Sequence, residues 1–196
     1  KIIYDWRIEN PELHQGAGAL APTYLKSKGR YYFANGFQFA KGGPDNDLGA
    51  IIFDVTSLPD TSKVREVARI RHPDVPGGFH ETYSYKHSTG LALLFATTSG
   101  TEAYVYDIDK VVAAGANGAT GLVTKIPVRK GTEPNPVVPI AGYHDFYVGY
   151  DPATKQDKFY GAAFSAYLIY DVTQPESPKL ITSVTGGAGL EVAHTF

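Results

Sequence analysis

Four times along the chain a β-branched, aromatic-rich run closes on an aspartate: Ile2-Ile3-Tyr4-Asp5, Ile51-Ile52-Phe53-Asp54, Tyr104-Val105-Tyr106-Asp107 and Leu168-Ile169-Tyr170-Asp171. Runs of this kind suit a pleated, half-buried surface. After three of them comes a connection carrying proline, at Pro11, at Pro59 and at Pro175 with Pro178. Proline has no N–H to give to a ladder, so these residues belong between strands. The Asp-to-Asp steps are 49, 53 and 64 residues. Self-similarity at such a period marks a repeat architecture, in which no unit can bury its apolar face without a neighbour.

A second marker runs in phase with the first. Phe79-His80, Tyr143-His144 and Ala193-His194 each follow a glycine-bearing turn and open a new strand, and His to Asp spans 27 residues both from 80 to 107 and from 144 to 171. Within that interval the pattern is strand, turn, strand, turn, strand. The segments 64–70, 122–128 and 180–184 add a fourth strand to each repeat. Four antiparallel strands per unit at a period near 50 is the pattern of a propeller blade. The expected fold is therefore an all-β β-propeller portion, with about three complete four-stranded blades and partial blades at both ends. The boundaries are 1–13 for the outer strands of a first blade, 19–71, 79–128 and 143–184 for the three blades, and 190–196 for the start of a next inner strand. Residues 109–114 have room for one helical turn, and the loops 40–48 and 129–139 are longer than hairpins need.

Composition supports this and narrows the partners. With 21 Gly, 13 Pro, 14 Tyr and 10 Phe in 196 residues, the chain is built for short strands and many turns. A formal net charge of −2 leaves no basic stripe for phosphates, so no nucleic-acid partner is expected. No apolar run approaches the roughly 20 residues that cross a bilayer as a helix, so no membrane span is expected in this segment. The absence of cysteine excludes disulfides, thiolate catalysis and Cys-ligated zinc. Methionine is absent too, even at position 1, and the chain is read as a piece of a longer one.

The repeats resemble LVIVD repeats. The resemblance rests on Leu168-Ile169-Tyr170-Asp171-Val172 with Thr173 and the Pro175-Glu176-Ser177-Pro178 turn, and on a histidine opening the next inner strand at His80, His144 and His194. It is closest in the last repeat and weaker around Asp107, where the proline turn is replaced. The first blade lacks the histidine, with only His14 upstream. Membership would imply a bacterial β-propeller that is secreted, periplasmic or held at the cell surface, mostly without assigned activity.

The recurrent histidines are the sharpest candidates for chemistry. In a propeller the first strand of each blade lines the central channel, so His80, His144 and His194 would meet near one end of it. The expected role is structural, each imidazole bonding a neighbouring blade. The alternative is a shared divalent metal ion, which would make the protein a metal-dependent enzyme with a ring of inner-strand histidines. Convergence separates them, because nitrogens spread beyond about 8 Å cannot share an ion with bonds near 2.1 Å. Glu81 and Asp145 serve either role.

Asp45-Asn46-Asp47 could offer oxygens to calcium but lacks the twelfth-position glutamate of an EF-hand loop, and is read as a solvated turn. The pairs Gly42-Gly43, Gly77-Gly78 and Gly186-Gly187 precede no helix and are turns, not phosphate loops. No Gly-x-Ser-x-Gly occurs, and His72 and His87 lie in turn-like stretches without an assigned serine partner. The tyrosines are sheet residues first and a sugar-stacking face second. No cofactor beyond that metal is expected. The function that follows is a non-catalytic, extracytoplasmic scaffold engaging a protein or glycan partner through the loops 40–48 and 129–139.

Overall fold

The computed structural model describes residues 2, 4–8, 17–39, 45–72, 74, 76–129, 141–185 and 192–194. Most of the two expected binding loops, at 40–44 and 130–140, and His14 lie outside the described residues. Among the described residues, twelve strands form three four-stranded antiparallel sheets, each in chain order. The first holds β1 (Ala17–Ser27), β2 (Arg30–Phe39), β3 (Leu48–Asp54) and β4 (Arg65–Arg71). The second holds β5 (Phe79–Lys86), β6 (Ala92–Thr98), β7 (Glu102–Asp107) and β8 (Leu122–Pro127). The third holds β9 (Tyr143–Asp151), β10 (Gln156–Ala163), β11 (Ala166–Asp171) and β12 (Lys179–Thr185). The one α-helix among the described residues, α1 (Ile108–Ala114), follows β7. It is not long and apolar enough to cross a membrane.

The repeated aspartate has a local physical cause. Asp54 Oδ1 accepts from Thr56 N at 3.0 Å and Asp171 Oδ1 from Thr173 N at 2.9 Å, so each carboxylate turns the chain as its strand ends. The threonines complete a matching pattern: Thr56 Oγ1 accepts from Tyr31 N and Thr173 Oγ1 from Asp157 N. Asp107 does the same work for a helix, accepting from Asp109 N at 2.9 Å and Lys110 N at 3.3 Å as the N-cap of α1. That cap is why the middle repeat dispenses with the proline turn.

Register makes the sheets comparable residue by residue. Asp54 pairs with Tyr32, Asp107 with Leu93 and Asp171 with Lys158. Counting from those pairs, Phe33, Leu94 and Phe159 are equivalent, as are Ile51, Tyr104 and Leu168, and Phe53, Tyr106 and Tyr170. Successive strand residues point to opposite faces, so each sheet carries one face of this set and one of its neighbours. Leu94, Tyr104 and Tyr106 of the second sheet pack against Tyr32, Ala34 and Ile52 of the first. Phe159, Leu168 and Tyr170 of the third pack in the same way against Leu93, Phe95 and Val105 of the second. The equivalent face of the first sheet, with Ile51 and Phe53, is covered instead by Trp6 and Ile8.

Glycine allows the closest approach between the first two sheets. Gly78 has φ +74° and bridges Gln38, and a Cβ there would stand 1.9 Å from the carbonyl oxygen of Phe37. No other residue fits such a contact. It sets the start of β5, and with it His80, beside the end of β2.

Candidate functional site: a row of three histidines

His80 and His144 are each the second residue of the first strand of their sheet, β5 and β9. His194 reaches the same place by another route: Val192 bridges Phe164 in the turn between β10 and β11, and Ala193 N donates to Ala163 O at 3.3 Å. The three rings form a row. The centroids of His80 and His144 lie 4.6 Å apart with planes at 43°, and those of His144 and His194 lie 4.4 Å apart at 72°.

The flanking rings are anchored from outside the row. His80 Nδ1 donates to Gln38 Oε1 at 3.1 Å, across the boundary between the first and second sheets. His194 Nδ1 stands 3.4 Å from Asp145 Oδ2, whose other oxygen accepts from Phe146 N at 2.7 Å. Both contacts have the character expected of a structural histidine. The central ring does not. His144 Nδ1 is buried with no hydrogen-bond partner, and its ring otherwise meets Phe164 edge-on at 5.9 Å.

The surroundings of that ring disfavour its protonation. Burial lowers the His144 pKa, helped by repulsion from His80 and His194 and opposed by Asp145. Next to His80, burial and the like charge of Asp145 push the Glu81 carboxyl up to about 7. Among the described residues, no group of three or more His, Asp or Glu side chains is placed to hold a metal ion.

At the other end of β5 lies a network that sequence reasoning missed. His87 Nδ1 accepts from Thr89 N at 3.2 Å and lies 2.7 Å from Thr89 Oγ1, so its Nε2–H donates to Val172 O at 3.0 Å. Asp157, wholly buried on β10, accepts from the Tyr85 and Ser88 hydroxyls and from Ser88 N, and lies 3.3 Å from His87 Nε2. Each of these links joins the second sheet to the third. The partners are some 70 residues apart, so no local pattern could signal them; a histidine just past an aromatic strand is the nearest cue.

Other candidates resolve simply. Asp45 and Asp47 both accept from the Arg71 guanidinium, at 2.5 and 2.7 Å, and so serve to fix β4 to the turn before β3. His72 is buried against Phe79, Tyr104 and Tyr106, and desolvation lowers its pKa to about 4. Aromatic side chains that do gather into a cleft are those on the outward face of the first sheet. Tyr4, Trp6, Tyr24, Tyr31, Phe33 and Phe53 line a space of about 720 Å³, with Asn35 and Thr56 among its few polar side chains.

No model of a known protein family and no curated protein matches the chain.

Proposed function

We propose that the chain is a section of an LVIVD-type β-propeller that works as a non-catalytic, extracytoplasmic binding scaffold, with the three sheets as successive blades. The resemblance of the Asp171 repeat to LVIVD strands supports the family and the location. The sheets support the blade reading through their order, their face-to-face packing and their shared register. Four-stranded units stacked in this way leave a face at each end without a neighbouring sheet.

The observation that carries the binding role is the aromatic cleft of the first sheet. Its Phe33 and Phe53 are register equivalents of Leu94 and Tyr106, and of Phe159 and Tyr170, all four fully buried against the preceding sheet. The surface that cleft fits is therefore a further four-stranded sheet of the same repeat. A protein surface is favoured over a glycan because the lining offers few polar groups for hydroxyls. The third sheet presents the matching outward face in Lys158, Tyr160, Tyr167 and Ile169, the equivalents of Leu93, Phe95, Ala103 and Val105.

A second copy of the chain supplies such a face, and sedimentation velocity over a range of concentrations tests it. Trp6, the only tryptophan, lies in the cleft and reports its filling. Reversible self-association with a blue shift of Trp6 emission is expected, both weakened by Tyr24→Asp, since Tyr24 is 74% exposed at the cleft. A chain that stays monomeric with unchanged emission at every concentration would contradict the docking role.

A further inference from the structure

The histidine row poses a separate question, because two of its rings are held and the third is not. Close imidazoles need not mean a ligand: edge-to-face aromatic packing gives centroid separations of about 4.5–7 Å. Packing alone, however, leaves the cost of an unmet buried nitrogen standing. Nothing in the fold forces His144 to bear that cost, since a phenyl or aliphatic side chain would fill the same space.

The spacing carries more information than closeness. With metal–nitrogen bonds of about 2.1 Å and a ring centre about 1.1 Å behind the nitrogen, two imidazoles on one ion have centroids about 4.5 Å apart at right angles and about 5.2 Å apart in a tetrahedral site. The observed separations are 4.6 and 4.4 Å. The outer contacts then take on a second meaning. His80 gives its Nδ1–H to Gln38 Oε1, which leaves Nε2 with a free lone pair; His194, with Nδ1 toward Asp145 Oδ2, is set in the same sense. A ring nitrogen anchored to an amide or carboxylate oxygen is how metal-binding histidines are oriented.

We propose that His80, His144 and His194 form a binding site for a borderline divalent transition-metal ion of the zinc, copper, nickel or cobalt class. Imidazole is a favoured ligand for these ions. As they stand, the three side chains are not placed to hold an ion together, so binding requires them to move. Binding draws the flanking rings toward a common ion, with the Gln38 and Asp145 contacts as their pivots and solvent filling the remaining positions beside the exposed His194.

The test uses the intact 196-residue chain. Titration with Co²⁺ followed by visible absorption, and with Cu²⁺ followed by electron paramagnetic resonance, should each show one ion per chain, with nitrogen hyperfine structure from at least two imidazoles for copper. His144→Ala should weaken binding at least tenfold, and so should His80→Ala and His194→Ala separately, with circular dichroism confirming that each variant folds. Should His144→Ala fail to fold, His144→Gln, which keeps bulk and polarity, carries the same expectation. Absence of stoichiometric binding by the wild-type chain overturns the proposal, as does binding that survives both His144 substitutions. The cleft of the first sheet shares no residue with this site, so loss of self-association would leave the metal result intact, and the reverse.

Discussion

Two histidine clusters occupy opposite ends of β5, both across the boundary between the second and third sheets, and they are built on opposite terms. At one end His87 has both ring nitrogens engaged, and the buried carboxylate beside it collects three donors. At the other end His144 keeps a buried nitrogen without a partner between two rings that are anchored. Saturation of this kind fixes two sheets together, and loss of the shared acceptor Asp157 would orphan its donors. An unmet group of this kind weakens the fold slightly and leaves chemistry open. The same strand thus runs from beside an unmet nitrogen at one end to a fastening at the other.

Substitutions at the fastening should have the largest effect. Asp157→Ala leaves the Tyr85 hydroxyl, the Ser88 hydroxyl and Ser88 N without their acceptor and should cost about 3–5 kcal/mol in denaturant unfolding, at roughly 1–3 kcal/mol for each orphaned buried donor. His87→Ala should cost less, about 2–3 kcal/mol, since it opens a small cavity and frees the Val172 carbonyl while Asp157 keeps its hydroxyl donors. His144→Ala in metal-free buffer should cost about 1 kcal/mol or less, because no hydrogen bond at Nδ1 is lost. A His144 penalty equal to that of His87 would erase the contrast.

The smallest effect at neutral pH is expected at His72, a third histidine with an unpartnered buried Nε2. Its pKa is lowered to about 4 by burial, from an ordinary value of 6.5. A lowered pKa contributes stability that is complete above the unfolded value and is lost as pH falls from about 6.5 through about 4. His72→Phe should change stability at pH 7 by about 1 kcal/mol or less and should remove that acid-side loss, seen as a flatter melting temperature between pH 6.5 and 4. An unchanged acid slope would show that His72 is not the group responsible.

Much of the all-β framework was legible because its causes are local. The aspartate at the end of each third strand turns the chain through its own carboxylate, so it had to recur wherever the turn recurs. The equal intervals from His80 to Asp107 and from His144 to Asp171 arise because the longer first two strands of the third sheet are offset by its shorter turns. Helix α1 was visible as room for one turn, and Asp107 explains why it starts where it does. What stayed hidden depends on contacts between distant segments. Nothing near His87 names Asp157, and nothing near Phe53 says that Trp6 will lie over it. The histidines were singled out as a repeat feature and given a uniform structural role; their separate fates follow from one neighbour for each ring, the Gln38 amide oxygen for His80, the Asp145 carboxylate for His194 and the Phe164 ring for His144.

The most direct test of this contrast is a single nitrogen-15 spectrum of the histidine rings, recorded on the wild-type chain before and after one equivalent of Zn²⁺. The ring resonances of His80, His144 and His194 should shift or broaden together, while those of His87 stay in place because its nitrogens are already engaged. Rings of the row that remain unmoved while zinc is present, or a His87 signal that moves with them, would contradict the division of β5 into a fastened end and an open one.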